Sequence, residues 1–405
     1  MAELRRNPVR STKINPPTRF KNLTTGTYWT LSGFYACYFA VLGVWIPFWP
    51  LYMSHLGHNA ESIGLLTALA LGIKVLAPPI WGGLADRGSR HRVIIFTSFA
   101  AAVSATLFLF GTTLSLLLMA TGIYSFFHTG PLALVEVTTL EVVTRHNADY
   151  GRVRLWGSWG FILLSLTMGQ ITDFWGVGMV PGILVLLLSM GGIISLFLPQ
   201  GETHPQQVEP GARRLFEKPE VRWFYLTTLL MQLSHGAYYG FMSIHLHQNG
   251  FSKTAIGLLW SLGVLAEVVF MMRARPVLLR FGLSAILTGS LILASLRWGI
   301  YALTLYWPLL IIGQLLHGAT FGSFHVASVQ RIFEMAPHGT RATAQAWYSA
   351  LSFGVGGGIG LLSSGFLFER IGAEPLFAIM SMVAGLGVLV SIRAANHHAR
   401  SLHSQ

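Results

Sequence analysis

Charge is what this 405-residue chain has least of: Asp, Glu, Lys and Arg together make up only 10% of it, against roughly 25% in a typical soluble protein. With 53% hydrophobic residues, the chain cannot cover a water-exposed surface, so a soluble globular protein is excluded. Cysteine is almost absent too. The single Cys37 rules out an intrachain disulfide and reads as a packing residue. No His-Glu-x-x-His, no Gly-x-Ser-x-Gly and no ATP-binding loop occurs in the sequence, so an intramembrane enzyme and an ATP-driven pump have no motif behind them. His397-His398 is too short a cluster to imply a metal. The expected cofactor list is empty, with the proton as coupling ion.

What the chain has instead is long apolar runs. Twelve are long enough to span a bilayer, at about 29–53, 62–82, 93–112, 116–143, 153–173, 178–198, 222–247, 254–273, 283–305, 308–332, 340–367 and 374–393. The net charge of +12 would suit nucleic acid if it were clustered, but it is sorted by side. With both termini placed inside, Lys253 and Arg370 are the only basic residues in the outer loops. Lys74, Arg154 and Arg297 fall within spans, and all the rest are cytoplasmic, as the positive-inside rule requires. The basic tail, from Arg5 to Lys21, is expected to rest on anionic lipid. The first apolar run is too long for a signal peptide and has no small-residue cleavage site.

The chain is two copies of one unit. Ile63-Gly64-Leu65-Leu66 leads to Lys74, and Ile256-Gly257-Leu258-Leu259 leads to Glu267. Gly57 and Gly250 precede the two tetrapeptides at the same distance, and Arg87 and Arg280 follow the two charges at the same distance. The longest polar interruption separates six spans from six. The organisation expected is a basic cytoplasmic tail (1–28), an N-terminal six-helix half (29–199), a cytoplasmic linker (200–221), a C-terminal six-helix half (222–393) and a cytoplasmic tail (394–405). The fold expected is an all-α membrane protein with twelve transmembrane helices in two pseudo-symmetric six-helix bundles, an architecture of secondary transporters. The run Gly354-Val355-Gly356-Gly357-Gly358-Ile359-Gly360 reads first as close helix packing, with bending as a second role.

An ionisable group at mid-membrane costs about 2.5–3.5 kcal/mol on insertion scales, so each needs a partner or a task. Glu136 in the fourth span and Arg154 in the fifth read as a pair facing a cavity. Lys74 reads as counter-charge to an anionic substrate, or as a lysine snorkelling to the interface. In the second half stand Glu267, Arg297, His317 and His325. Positions 317, 321, 324, 325 and 328 share one broad helical face. Glu267 reads as a proton carrier or as a structural ion pair with Arg297. The histidines read as proton relays or as core hydrogen bonders. Tyr35, Tyr38, Phe39, Trp45, Trp49, Tyr238 and Tyr239 suit an aromatic-lined cavity or ordinary packing.

Gly82-Gly83-Leu84-Ala85-Asp86-Arg87-Gly88-Ser89-Arg90-His91-Arg92 resembles the cytoplasmic signature of the major facilitator superfamily. The resemblance implies that Asp86 and Arg87 form a conformational latch. The matching turn, Leu279-Arg280-Phe281-Gly282, lacks the acid, so any latch is expected to be asymmetric. Glu136 and Arg154, with Gly151-Arg152-Val153-Arg154 between them, are similar to the sugar-binding pair of the lactose permease group. Phe161 falls where that group places a stacking tryptophan. Glu267, Arg297 and His317 resemble its coupling residues. The group has a carboxylate one turn after its histidine, where Thr320 stands here, and an acid in the seventh helix, where Ser234 and His235 stand. Leu316 to His325, Pro78-Pro79-Ile80-Trp81-Gly82 and Tyr150 to Ser158 look more like the phenylpropionate permeases. These resemblances imply proton-coupled symport of a small aromatic carboxylate such as 3-phenylpropionate by a monomer in the inner membrane, with both termini cytoplasmic. A sugar or nucleoside symporter, a drug-exporting antiporter and a non-transporting receptor or scaffold are the alternatives.

Overall fold

A computed structural model describes residues 23–200, 216–336 and 340–403. Among them there is no strand. Ten helices are long and apolar enough to cross a membrane, from Thr25–His55 to Ala373–His397. Two further rods occupy the fifth and seventh places: Tyr150–Trp175, and the pair Pro219–Ser234 and Gly236–Gln248. Both carry a heavy polar load for a span, Arg152, Arg154 and Asp173 in one and Gln232, His235 and His245 in the other. The order is consistent with twelve spans, numbered here in sequence.

Several helices outrun their apolar stretch. The eighth span, expected to end near 273, continues to Phe281, and the twelfth runs on through His403 into the expected tail. A helix needs no hydrocarbon around its final turns, so charged residues prolong it into the interface. Of the expected linker, 201–215 lies outside the described residues, and the seventh span already begins at Pro219.

The repeat is visible in backbone geometry. Gly57 and Gly250 both adopt positive φ, +85° and +83°, where a side chain would be strained. Asn59 and Ser252 then cap the second and eighth spans, accepting from Ser62 N (3.0 Å) and Ala255 N (3.1 Å). Caps of this kind satisfy amide groups that a helix start leaves without partners.

The halves meet along two lines, the second span against the eleventh and the fifth against the eighth. Both contacts lie at the end of the bundle farthest from the termini, called here the distal face. Gly64 lets the second span touch the backbone at Leu361 and Gly365, and Gly257 lets the eighth touch Ser165. Cross-half bonds close each line. The Ala60 amide donates to Glu369 Oε2 (2.7 Å). The Lys253 and Thr254 amides donate to Asp173 Oδ1 and Oδ2 (2.9 and 2.8 Å). Glu61 pairs with Arg370, and Lys253 Nζ lies 3.7 Å from Asp173. The two basic residues that break the charge asymmetry of the loops thus belong to this closure. At the other end Gly130–Arg145 and Arg341–Tyr348 pack substantially only within their own halves. The protein is closed at the distal face and open toward the termini.

The glycine run of the eleventh span packs closely, the first of the two roles expected of it. Gly354 and Gly357 abut Val75 and Leu71 of the other half, while Gly356 and Gly360 abut the Leu229 and Leu233 carbonyls. Ser349–Gly356 is also a π-helical segment, an element that re-aims the side chains beyond it.

Candidate functional site

Two breaks in otherwise continuous spans build the centre. The fourth span stops at His128 and restarts as Gly130–Arg145, with Pro131 in its first turn. Proline has no N–H to offer the preceding turn. Trp81 Nε1 donates to the Phe126 carbonyl at 2.7 Å, and Thr129 Oγ1 donates to it at 3.4 Å. Trp81, in the Pro78-Pro79-Ile80-Trp81 stretch, therefore sets the register of the second span on the fourth. The seventh span breaks at His235. Its Nδ1 takes the Met231 carbonyl at 2.8 Å, while its own amide turns to Gln232 O at 3.2 Å.

In the first half, Arg154 Nε lies 3.8 Å from Glu136 Oε1. The guanidinium covers the Phe39 ring at 4.0 Å and the Tyr35 ring at 5.4 Å. Glu136 is also within electrostatic range of Lys74. Sequence reasoning paired Glu136 with Arg154, and the structure brings them together.

In the second half, Arg297 is fully buried. Its guanidinium lies 4.3 Å from the Tyr238 centroid and 4.7 Å from that of Trp298. Nη1 donates to His317 Nδ1 (3.0 Å), and Nη2 donates to Gln314 Oε1 (3.3 Å), which also accepts from Tyr238 OH (2.9 Å). Because arginine only donates, Nδ1 is the acceptor and a neutral His317 carries its proton on Nε2. That nitrogen is 3.8 Å from Glu267 Oε2. The arrangement is a chain, Arg297 to His317 to Glu267, with no direct ion pair between Arg297 and Glu267. The cation from the other half within electrostatic range of Glu267 is Arg154.

A π-helical turn, Gly318–Gly322, follows His317, and such turns recur at functional sites. Phe321, within it, stacks on His317 (5.3 Å, 12°) and on His325 (6.5 Å, 8°). The two histidines share a face, as their spacing implies. His325 Nδ1 meets Tyr348 OH at 3.1 Å.

Between the halves lies a cavity of about 280 Å³. Its wall is largely aromatic and aliphatic, including Tyr38, Trp45, Tyr124, Tyr239, Phe321 and Phe353. Lys74 is the one Lys, Arg, Asp or Glu in that wall, and its side chain is exposed there. Glu136, Arg154, Glu267, His317 and His325 are not among the residues that line the cavity, and Glu136 and Arg154 keep 38% and 30% of their side chains exposed. Phe161 is buried where the first and fifth spans cross, its backbone against Gly43, and is likewise not part of the wall. Asp86 and Arg87 are exposed and form no ion pair among the described residues. The halves are apart at that end, and no described residue across the gap pairs with them. The nearby Arg90 is buried and bonds both carboxylate oxygens of Glu141 at 2.8 Å. Glu141 is a half-buried partner within the first half.

Sequence reasoning missed His128, Gln232 and Gln314. A lone histidine or glutamine in an apolar helix carries no periodic signal. The Gly130-Pro131 break beside His128 was the available clue.

The MFS_1 like family model matches residues 28–379. A probable 3-phenylpropionic acid transporter of Escherichia coli (strain K12) is 30% identical over 374 residues, covering 88% of this chain and 95% of the relative. The maltose permease of Geobacillus stearothermophilus is 26% identical, covering 88% and 92%. Among solved structures, the nucleoside transporter NupG superposes with a TM-score of 0.81 at 20% identity, over 92% of this chain and 99% of that one. That likeness shows the fold.

Proposed function

We infer the transport chemistry from one premise: the chain belongs to the MFS_1 like family and is a multi-pass membrane transporter of the major facilitator superfamily, not an enzyme. Its proposed substrate is a small aromatic carboxylate, 3-phenylpropionate being the first candidate, taken up with a proton across the inner membrane. In this reading both termini are cytoplasmic, so the cavity opens to the cytoplasm.

The observation that carries the substrate class is the cavity wall, apolar and aromatic with Lys74 as its one fixed charge. A hydrogen bond between an ammonium and a carboxylate contributes about 1.5–3 kcal/mol net. A neutral hydroxyl in the same place gains about 1 kcal/mol net from one hydrogen bond. The wall thus favours an acid over a sugar of similar size, and the E. coli relative supports the same reading. The second reading, a sugar or nucleoside, is favoured by the maltose permease relative. It would need Glu136, Arg154 and Phe161 to enter the cavity in another conformation.

The proton is assigned to Glu267, with His317 as its neighbour. Arg297 is fixed by two rings and two acceptors, so its role here is to hold the tautomer of His317. The cation free to compete with a proton for Glu267 is Arg154, which crosses between the halves and leaves Glu136 to do so. Proton binding at Glu267 then releases Arg154 and permits rocking about the midplane. Asp86 and Arg87 are proposed to latch the cytoplasmic end in the opposite orientation.

External pH is the test, in lightly buffered, de-energised cells given 3-phenylpropionate or a neutral sugar. The expected result is alkalinisation with the acid that Glu267→Gln abolishes. Alkalinisation with the sugar alone would replace the substrate class.

A further inference from the structure

His128 is the least explained polar group near the cavity. It lies in the wall, at the end of the first segment of the fourth span. The ring stacks on Tyr38 at 4.5 Å and 6°, and on Tyr124 at 5.0 Å and 23°. Two rings against its faces leave only the edge of the imidazole for polar contact, and both nitrogens are on that edge. Neither has a hydrogen-bond partner among the described residues, and Nε2 is buried as well. Leaving a buried polar atom without a partner costs about 1–3 kcal/mol, and interiors rarely tolerate it without a use.

Lys74 lies within electrostatic range of the ring. The two are registered by one contact: Trp81, two turns after Lys74 on the second span, holds the Phe126 carbonyl two residues before His128. A lysine supplies charge on a flexible stem and fixes no direction. A clamped imidazole supplies direction.

Resting on the reading that the substrate is an aromatic carboxylate, the geometry points to His128 as the second ligand of that carboxylate, its ring N–H donating to one oxygen while Lys74 neutralises the charge. The clamp makes His128 the specificity-determining residue, because it fixes where an acid group must sit relative to the aromatic part of the cavity.

The test is equilibrium binding to purified, full-length protein in nanodiscs, with two probes: 3-phenylpropionate, and 3-phenylpropanol, which keeps the ring and chain but lacks the carboxylate. Phenylalanine keeps the stacking area, so His128→Phe isolates the nitrogens. The expected result is about tenfold weaker binding of the acid, as for one hydrogen bond to a charged group, with the alcohol unchanged. His128→Gln, which restores a donor on the same stem, recovers part of the loss and guards against a folding artefact. Equal weakening of both probes in His128→Phe would reduce His128 to packing and overturn the inference, as would unchanged binding of the acid. Wild-type protein that binds no aromatic acid would instead remove the substrate reading, before any variant is made, and this inference with it.

Discussion

Three residues carry most of the chemistry, and each makes a separable prediction. Lys74→Met removes the only fixed charge of the cavity wall. Apparent affinity for 3-phenylpropionate should fall at least about tenfold, with little change for an uncharged analogue; an equilibrium binding titration reads this directly. Glu267→Gln leaves the bundle intact but cannot exchange a proton. Substrate exchange across proteoliposomes should survive while proton-driven accumulation is lost, and accumulation that persists with its pH dependence intact would remove Glu267 as carrier. In the wild type, uptake should rise as external pH falls, because the proton is a co-substrate. Arg297→Lys is conservative in charge only, since the guanidinium lies on Tyr238 and Trp298 and bonds His317 and Gln314. Lysine has neither the flat face nor the rigid fork of donors. Loss of about 2 kcal/mol, or a Tm lower by roughly 2–4 °C in a thermal-shift assay, is expected. At this scale, sequence reading recovered the ionisable residues, because a charge inside hydrocarbon announces itself. It could not reveal that His317 stands between Arg297 and Glu267, since partner choice depends on how three helices approach.

Among elements, the informative features are the breaks and the distal closure. The fourth and seventh spans break beside His128 and at His235, and the tenth and eleventh carry π-helical segments. The first break had a sequence signal, Gly130-Pro131, and the eleventh span had its glycine run. The others arise where a side chain or a neighbouring backbone competes for the ladder, a tertiary event. The distal closure is symmetric: an acid from one half accepts from the helix start of the other, Glu369 at Ala60 and Asp173 at Lys253 and Thr254. A carboxylate at a helix N-terminus contributes about 0.3–2 kcal/mol. Replacing both, in Asp173→Asn with Glu369→Gln, should shift the population toward a distal-open state by about tenfold. Electron-spin distances between labels at Phe110 and Leu303, in a Cys37→Ser background, measure this. An unchanged distance distribution would leave closure to the Glu61–Arg370 pair and the Gly64 and Gly257 contacts.

At the level of the whole molecule, composition and repeat were enough for the class. Scarce charge demanded a bilayer, and the duplicated Ile-Gly-Leu-Leu units demanded two similar halves. The same offset that relates Lys74 to Glu267 relates the caps Asn59 and Ser252, the turns at Gly57 and Gly250, and the cross-half contacts at Gly64 and Gly257. These are local or periodic properties, and a hydrocarbon solvent enforces them span by span. Which groups share the cavity is another matter. Glu136, Arg154, Glu267 and Phe161 were legible as residues of interest, yet the wall is made instead by Lys74 with aromatics and by His128 and Gln232. Local pattern selects which residues face the protein interior. Which of them reach the cavity is decided by the rotation of each helix, the break in the fourth span and the relative tilt of the halves, and those follow from packing between segments far apart in the chain.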